Sequence, residues 1–586
     1  MSIPPSQRPT NDAFVNVALG GLVIVALFSL VLRLAGSIAA FLTGRPQPDG
    51  DVIAGVGVLA SPLDPGTPLG TPGLNPIVYW AIAAVLIGTV ITAAVFTWRL
   101  ITRGRGRVDP RRLDGAAGGS EILAVASRRA LLRRAKTFRP SLNKPQPCDV
   151  GYLLGTSRGR QVWATVEDSI LLIGPPRSGK GLHVVINSIL DAPGAVVTTS
   201  TRPDNITATL LARQDKGPVA VFDPQCIAPG LPAGLRWSPV RGCEDPLTAM
   251  IRAVGLSTAT DFGSVSGGDF WQGKTTAAIQ VLLHAAALDH RDAGALYSWA
   301  LNPTAAGDAV RILQSNPRAA EGWAESLESM LQSDPRTRDS IWQGVSLAFS
   351  ALADPRVLDA VTPRPGEEFD PERFLTQNGT LYLLATGAGA GASASLVAAL
   401  IEDLVETARR LAARSPGARL DPPLLLALDE IGNLAPLPSL PTLMAEGGGT
   451  GITTLPVLQS LAQAREKWGE NAAAAIWDAS IVKIVLGGAS NSRDLQDLST
   501  LIGERDEITD SVTIGDYGSR SSQRSVRRVP VLPPDVLRTM PFGLGVILLR
   551  AARPIITDLR PWMKRSDAAA LAAGQRDVEA LLRASS

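Results

Sequence analysis

The fold of most of this 586-residue chain follows from one stretch, Ser169-Ile-Leu-Leu-Ile-Gly-Pro-Pro-Arg-Ser-Gly-Lys-Gly181. Its first five residues form a short, mainly apolar run that is typical of a buried strand. Apolar residues then recur at helical spacing at Leu182, Val185, Ile186 and Ile189. A strand, a glycine-rich loop and a helix in this order are the context that a phosphate-binding P-loop requires. The stretch therefore predicts an α/β domain built around a nucleotide site.

The residue types in the loop suit phosphate chemistry. Gly174 and Gly179 allow the backbone to turn so that its N–H groups surround phosphate oxygens at the positive end of the helix. Lys180 can place its ammonium group between the β- and γ-phosphates. Gly181 departs from the general motif, because Ser or Thr usually supplies a hydroxyl to Mg²⁺ there. We expect ATP and Mg²⁺ as ligands, with the nucleotide bound by Gly174, Pro175, Pro176, Arg177, Ser178, Gly179, Lys180 and Gly181.

Two further apolar runs end in residues suited to catalysis. Leu424-Leu-Leu-Ala-Leu428 precedes Asp429 and Glu430, the arrangement of a Walker B motif. Asp429 can hold Mg²⁺ directly or through water, and Glu430 can polarise the attacking water. Gln459 follows the run 452–458 and either senses the γ-phosphate or is only a polar strand end. The predicted catalytic residues are Lys180, Glu430 and Gln459, and the predicted metal ligand is Asp429.

The first 98 residues predict a membrane anchor. Residues 14–32 and 76–98 are apolar runs of about 20 residues, enough to cross about 30 Å of hydrocarbon as helices. Residues 43–75 are rich in Pro and Gly and read as an irregular external loop. Arginines follow the second run at Arg99, Arg103, Arg105, Arg107, Arg111 and Arg112, which predicts a multi-pass cell-membrane protein with both termini cytoplasmic. A cleaved signal peptide is the alternative interpretation of the first run, and a buried core helix is the alternative for both runs.

Charge and cysteine content exclude several classes of protein. The net charge of +2 excludes a polycation that coats nucleic acid along its whole length. Three cysteines without a CxxC pair, and three scattered histidines, argue against a disulfide framework or a zinc site. A local basic stretch continues at Arg128, Arg129, Arg133, Arg134, Lys136 and Arg139. It suits either an anionic membrane surface or DNA phosphates.

In this order, the motifs resemble the TraG/TraD-type coupling proteins of bacterial conjugation and type IV secretion. The resemblance is carried by the two apolar runs, the loop 174–181, Val221-Phe-Asp-Pro224, Trp237-Ser-Pro239, Leu428-Asp-Glu-Ile-Gly-Asn-Leu434, Leu458-Gln-Ser-Leu-Ala-Gln463, Trp468-Gly469, Gly487-Gly488 and Pro533-Pro534. It implies a RecA-like motor fold, a homo-hexamer, and ATP-driven transfer of DNA or nucleoprotein through a secretion channel. The implied partners are DNA, in single-stranded form, a relaxase-type cargo and the membrane proteins of the channel.

Two stretches depart from this resemblance. Many relatives carry Asp-Pro-Lys-Gly-Glu after the strand that follows the P-loop helix, where this chain has Ser200-Thr-Arg-Pro-Asp204. Relatives also often carry arginines before the strand that leads to the glutamine, where this chain has Glu446-Gly-Gly-Gly-Thr-Gly451. An arginine finger is therefore missing at that point. Arg465 and Arg493 are the candidate substitutes.

The resulting domain plan has an anchor at 1–98, a basic juxtamembrane linker at 99–150, and a RecA-like ATPase domain at 151–245 and 364–560. An inserted all-α domain is expected at 246–363, where amphipathic helices contain Trp271, Trp299, Trp323 and Trp342. Residues 561–586 are expected to end in a helix. Two other functions stay open: a substrate receptor that binds nucleotide without hydrolysing it, and a DNA translocase of the FtsK type.

Overall fold

The computed structural model describes residues 11–103, 110–231, 234–257, 268–385, 390–514 and 520–584. The chain divides into two compact units, residues 1–108 and 109–586. Arg105 and Arg107, which contribute to the predicted membrane topology, lie outside the described residues.

The first unit is formed by two long apolar helices that pack against each other. Helix α1 spans Asn11–Thr43 and α4 spans Pro76–Arg103; between them lie the short helices α2 (Ala54–Gly57) and α3 (Gly66–Leu69) and a 3₁₀ turn, Val58–Ala60. The described segments long and apolar enough to cross a membrane are Val25–Thr43 and Pro76–Trp98. Helices α1 and α4 contain the predicted runs 14–32 and 76–98. The segment 43–75 contains helical turns where irregular structure was expected.

The second unit contains thirteen strands in its described residues. They are β1 (Gly151–Ser157), β2 (Arg160–Thr165), β3 (Ile170–Ile173), β4 (Val196–Ser200), β5 (Val219–Phe222), β6 (Thr380–Leu384), β7 (Leu424–Leu428), β8 (Ile452–Leu458), β9 (Val482–Leu486), β10 (Glu504–Ile514), β11 (Arg520–Pro530), β12 (Leu544–Leu549) and β13 (Ile555–Leu559). Eleven of them form one sheet in the order β2-β1-β13-β12-β9-β3-β8-β7-β4-β6-β5. β10 and β11 form an antiparallel ribbon of their own.

The sheet order places the predicted motifs on neighbouring strands. From β9 to β5 the described pairs are parallel, and from β9 to β2 they are antiparallel. β8 lies between β3, which leads to the loop at 174–181, and β7, which leads to Asp429. Because parallel strands end at the same edge, both motifs lie at one edge of the sheet. The predicted α/β fold class is confirmed by this mainly parallel sheet.

The helices of the second unit cover both faces of the sheet or form the region between β5 and β6. They are α5 (Gly119–Val125), α6 (Arg128–Arg133), α7 (Ala135–Phe138), α8 (Pro147–Val150), α9 (Ile186–Asp191), α10 (Asp204–Gln214), α11 (Pro246–Ser257), α12 (Gly268–Leu288), α13 (Ala293–Leu301), α14 (Gly307–Ser315), α15 (Trp323–Gln332), α16 (Pro335–Ala348), α17 (Pro355–Ala360), α18 (Pro371–Thr376), α19 (Ala390–Arg414), α20 (Ile431–Leu434), α21 (Leu440–Glu446), α22 (Leu461–Ala479), α23 (Ser492–Ile502), α24 (Pro534–Arg538) and α25 (Ala568–Ala584).

The described region between β5 and β6, from α11 to α18, is helical. Its tryptophans serve the core: Trp299 and Trp342 are buried, and the Trp342 indole donates a hydrogen bond to the Trp299 carbonyl oxygen over 2.9 Å. Trp271 and Trp323 are partly buried against the same core. These four side chains therefore contribute apolar packing.

Residues 110–150, expected as part of a linker, are folded into the second unit. Ile122, Leu131 and Phe138 from α5–α7 are buried in the core against β1 and β2. Arg134 pairs with Glu167 over 2.5 Å, and Arg139 forms an ion pair with Asp421. The apolar residues among the basic ones explain this difference, because they gain stability by burial whereas a free linker would expose them.

Candidate functional site

The glycine-rich loop leaves a fully buried strand and turns sharply. All four residues of β3 are buried, and the Gly174 N–H donates to the Leu458 carbonyl oxygen over 3.1 Å, which ties the loop to β8. Gly179 has φ +89°, in the left-handed region that favours glycine. Arg177 also has a positive φ, of 63°, which is uncommon for a residue with a side chain. The backbone is thus bent at two points within the loop.

Lys180 is folded back onto its own loop. Its Nζ donates to the carbonyl oxygens of Gly174 over 2.7 Å and Pro175 over 3.1 Å. Burial lowers the pKa of this ammonium group, and the nearby carboxylates of Asp429 and Glu430 oppose that shift. The loop thus positions its lysine close to the acidic pair at the tip of β7.

Gly181 opens the helical turn after the loop and has open space around it. A Cβ built at this position would have the Asn205 Oδ1 as its nearest neighbour, at 3.9 Å. At Gly179, by contrast, a Cβ would lie 2.6 Å from the Nδ1 of His183. Packing therefore requires glycine at 179 and does not require it at 181.

Three polar side chains, from the end of β4 and the start of α10, hold the acidic pair. The Thr199 hydroxyl donates to the backbone carbonyl oxygen of Asp429 over 2.7 Å, and the Asn205 amide donates to its Oδ2 over 3.4 Å. The Thr201 hydroxyl donates to the Oε2 of Glu430, whose φ is +52°. Because β4 and β7 pair in parallel, these contacts join the ends of adjacent strands.

The environment of Asp429 suits a cation. Among the described residues, its Oδ1 is buried and has no hydrogen-bond partner. Burial, and then the Glu430 carboxylate, raise the pKa of Asp429 to about 6. An unpartnered carboxylate oxygen with a neighbouring carboxylate is a donor set that hard cations such as Mg²⁺ prefer. The residues present therefore fit a magnesium ion at this position.

One cavity of about 780 Å³ joins the two motifs. Of the predicted site residues that the structure describes, it is lined by Pro176, Arg177, Ser178, Gly179, Lys180, Gly181, Asp429 and Glu430. Gly174 and Pro175 are absent from that lining and contact Lys180 through their carbonyl oxygens. Gln459 lies at the end of β8 and is also absent from it; its backbone N–H donates to Gln463 Oε1 over 2.9 Å.

Several residues at this site were not predicted from the sequence. Thr199, Thr201 and Asn205 lie in or next to the stretch Ser200–Asp204. The only feature of the sequence that pointed to this stretch was its departure from the family pattern. The far wall of the cavity comes from the C-terminal segment: Trp562, Met563, Gln575, Glu579, Leu582 and Arg583. Nothing in its local sequence indicated that position.

The two candidate arginines differ in how they are held. Arg465 forms ion pairs with Asp494 over 2.9 Å and Glu470 over 3.4 Å, and 19% of its side chain is exposed. Arg493 lies 3.9 Å from Glu470, with 67% of its side chain exposed. Of the two, Arg493 has the greater freedom to reach another molecule.

The part of the chain that carries the acidic pair matches a known protein family profile. Residues 423–542 match a family profile described as the TraM recognition site of TraD and TraG. These 120 residues, called the TraD/TraG segment, are similar to that part of the family. The TraD/TraG segment contains the β7 strand, Asp429, Glu430 and Gln459, and so confirms the resemblance drawn from the sequence for this part of the chain. A comparison with curated proteins found no match.

The solved structures that match this chain do so at low sequence identity. The bacterial conjugative coupling protein TrwBdeltaN70 in a trigonal form with sulphate is 17% identical, with a TM-score of 0.49 over 78% of this chain and 95% of that chain. The plasmid coupling protein TrwB in complex with ADP and Mg²⁺ is 17% identical, with a TM-score of 0.49 over 78% and 96%. VirB4 of Thermoanaerobacter pseudethanolicus is 13% identical, with a TM-score of 0.40 over 70% and 96%.

Proposed function

We propose that this chain is a membrane-anchored ATPase that couples ATP hydrolysis to the transfer of DNA or nucleoprotein through a type IV secretion channel. One observation carries the proposal: Lys180 of the glycine-rich loop and the acidic pair of the TraD/TraG segment line a single cavity. A phosphate-binding loop opposite two carboxylates is the arrangement that nucleotide hydrolysis requires.

The residues that bind ATP are those of the loop 174–181. Lys180 leaves the carbonyl oxygens of Gly174 and Pro175 and donates to the β- and γ-phosphates instead, which exchanges neutral acceptors for charged ones. Asp429 holds Mg²⁺ through the oxygen that has no partner among the described residues. When bound, this ion neutralises part of the phosphate charge.

Glu430 orients and polarises the attacking water, and Gln459 senses the γ-phosphate from the neighbouring strand tip. For Glu430, support comes from its place in the cavity beside Lys180 and from the Thr201 hydroxyl that fixes its carboxylate. For Gln459, support comes from the sheet order, because β8 lies between the strands that carry the two motifs. Its side chain would have to turn toward the cavity after ATP binds.

We infer the membrane topology from the two apolar helices, and the assembly from the family resemblance. Helices α1 and α4 contain spans long enough to cross a membrane, and the arginines after the second span favour cytoplasmic termini. A homo-hexamer would bring Arg493 of one copy toward the nucleotide of the next. The family description points to a TraM-type protein as a docking partner of residues 423–542, beside single-stranded DNA, relaxase-type cargo and the proteins of the channel.

A second function is favoured by two observations. Gly181 offers no hydroxyl to Mg²⁺, and Arg465 is held in ion pairs within its own chain. A protein with these features can bind nucleotide and serve as a substrate receptor without turnover. The two functions make opposite predictions about hydrolysis.

ATP hydrolysis by the full-length protein in lipid nanodiscs, with and without single-stranded DNA, separates them. We expect Mg²⁺-dependent turnover that DNA stimulates and that both Lys180→Ala and Glu430→Gln abolish. Matched controls are Lys144→Ala and Glu446→Gln, which change exposed residues of the same types away from the cavity. Binding of ATP without turnover under any of these conditions would favour the receptor, and absence of binding would end both proposals.

A further inference from the structure

The cavity extends beyond the phosphate loop to a wall that is formed by neither the glycine-rich loop nor the acidic pair. This wall is formed by the C-terminal segment, defined here as residues 560–583, through Trp562, Met563, Gln575, Glu579, Leu582 and Arg583. The opposite end of the cavity carries Lys180, Asp429 and Glu430. A single space therefore joins a phosphate site to the C-terminal segment.

The C-terminal segment is firmly attached to the helix that follows the phosphate loop. The Asn187 amide donates to the Arg560 carbonyl oxygen over 2.7 Å. Arg565 pairs with Asp191 over 2.6 Å, and both side chains are largely buried. Farther along, α25 packs along α10. The segment is thus a fixed wall of the cavity.

The wall has an apolar part close to the loop. Trp562 is buried and packs in one cluster with Leu182 and Ile186, which lie just after the loop. Met563 lies beside it with 57% of its surface exposed, although it is a large apolar residue that also lines the cavity. An exposed thioether that lines the same cavity as Leu182 and Ile186 offers a polarisable surface on which an aromatic ring can pack.

The rim of this apolar part is polar. The Gln575 amide donates to Glu579 Oε1 over 2.9 Å, and Arg583 donates to Glu579 Oε2 over 3.2 Å. These three side chains line the same cavity and offer both donors and acceptors. An apolar slot with a few polar groups at its edge is the usual form of a site for a heteroaromatic ring.

We propose that the C-terminal segment forms the base-binding part of the nucleotide site and selects purine nucleoside triphosphates. The ring packs against Met563, beside Leu182 and Ile186, and its edge faces the rim at Gln575 and Glu579. A purine buries more apolar surface in such a slot than a pyrimidine does, so it binds more tightly. This inference rests on the proposed function, because it extends the same site.

Direct binding measurements on the full-length protein in nanodiscs with Mg²⁺ test this subsite. The probes are ATP, CTP and inorganic tripolyphosphate, which shares the phosphate chain and lacks the base. We expect ATP to bind at least about tenfold more tightly than tripolyphosphate, which corresponds to about 1.4 kcal/mol, and more tightly than CTP. Equal affinities for ATP and tripolyphosphate would overturn the subsite while leaving the phosphate site intact.

Variants then assign the base contact to the C-terminal segment. Met563→Ala should weaken ATP binding several-fold and leave tripolyphosphate binding unchanged, and its exposure makes a folding defect an improbable cause. Glu579→Gln should change the preference among the triphosphates without changing the affinity for tripolyphosphate. Met250→Ala, at another exposed methionine, is the matched control. Unchanged ATP binding in Met563→Ala would overturn the inference, and a wild type that binds neither ATP nor tripolyphosphate would overturn the proposed function with it.

Discussion

The Thr201 hydroxyl donates a hydrogen bond to the Oε2 of Glu430, and so ties the end of β4 to the predicted catalytic carboxylate at the end of β7. Glu430 has a positive φ, of 52°, which is uncommon for a residue with a side chain. The hydrogen bond from Thr201 constrains the Glu430 carboxylate. The effect of this hydrogen bond on catalysis can be measured separately from its contribution to folding.

Thr201→Val removes the hydroxyl with little change in side-chain shape. We expect kcat for ATP hydrolysis to fall roughly 10- to 100-fold because Glu430 loses its orientation, with KM nearly unchanged. Thr201→Ser keeps the hydroxyl and should restore most of kcat. Steady-state kinetics of the three proteins check this, and an unchanged kcat in Thr201→Val would show that the contact has no catalytic role.

Asp429 should make the stability of the nucleotide-free, magnesium-free protein depend on pH. Its pKa in the folded protein is about 6, whereas an unfolded Asp has a pKa of about 3.9. The folded state therefore binds more protons between these values, and its stability decreases as the pH rises from about 4 to about 6.

Asp429→Asn removes this titration together with the repulsion from Glu430. In EDTA, we expect the variant to have a higher Tm than the wild type at pH 7 and a smaller change in Tm between pH 6 and pH 4. Asp339→Asn, at an exposed carboxylate, is the control. Identical pH dependence of Tm in Asp429→Asn and the wild type would contradict the assignment.

Gly181→Ser restores the hydroxyl that the general motif supplies to Mg²⁺. The nearest atom to the new Cβ is 3.9 Å away, so the variant should fold with an unchanged or slightly higher Tm. We expect the Mg²⁺ concentration for half-maximal ATP hydrolysis to fall several-fold. A magnesium titration checks this, and an unchanged half-maximal concentration would mean that the hydroxyl does not reach the ion.

Gly179→Ala provides a contrast within the same loop. The residue has φ +89°, and the added Cβ would lie 2.6 Å from His183 Nδ1. The expected cost is about 1–3 kcal/mol of backbone and contact strain. Thermal unfolding should show a lower Tm and weaker ATP binding, and normal values of both would indicate that the loop relaxes around the new methyl group.

The buried guanidinium of Arg213 should be important for stability and not for chemistry. It donates to the Thr380 hydroxyl over 2.7 Å and to the carbonyl oxygens of Ala192 over 2.9 Å and Gly194 over 2.8 Å. Arg213→Ala leaves the Thr380 hydroxyl and the Gly194 carbonyl oxygen without this donor, which costs about 1–3 kcal/mol for each group that water cannot reach. The Ala192 carbonyl oxygen still accepts from Lys216 Nζ over 3.1 Å.

Thermal unfolding should therefore show a Tm for Arg213→Ala that is several degrees lower than that of the wild type. Arg311→Ala, at a side chain that is 77% exposed, should leave Tm unchanged. Any Arg213→Ala protein that remains folded should retain the wild-type KM for ATP. A large change in KM at full folding would point to a direct role in the nucleotide site.

The local features of the site were predictable from the sequence, because each is carried by a few consecutive residues. Examples of such local features are the strand, loop and helix around Lys180 and the apolar run that precedes Asp429. The parallel pairing of strands that end at one edge then follows from the α/β class.

Long-range contacts could not be predicted, because the partners are distant in the sequence and their residue types are common. Thr201 and Glu430 are one example, and the packing of Trp562 with Leu182 and Ile186 is another. The helices at 110–150 were not predicted for a different reason. The many arginines in this segment indicated a linker, whereas a few apolar residues, such as Ile122 and Phe138, are buried in the core.

Electron microscopy of the full-length protein with Mg²⁺ and a slowly hydrolysed ATP analogue tests the central claim most directly. We predict density for the analogue in the cavity, with its β- and γ-phosphates in contact with Lys180 Nζ, the metal ion beside Asp429 and the base against Met563. An empty loop at 174–181, or an analogue bound away from the acidic pair, would contradict the account.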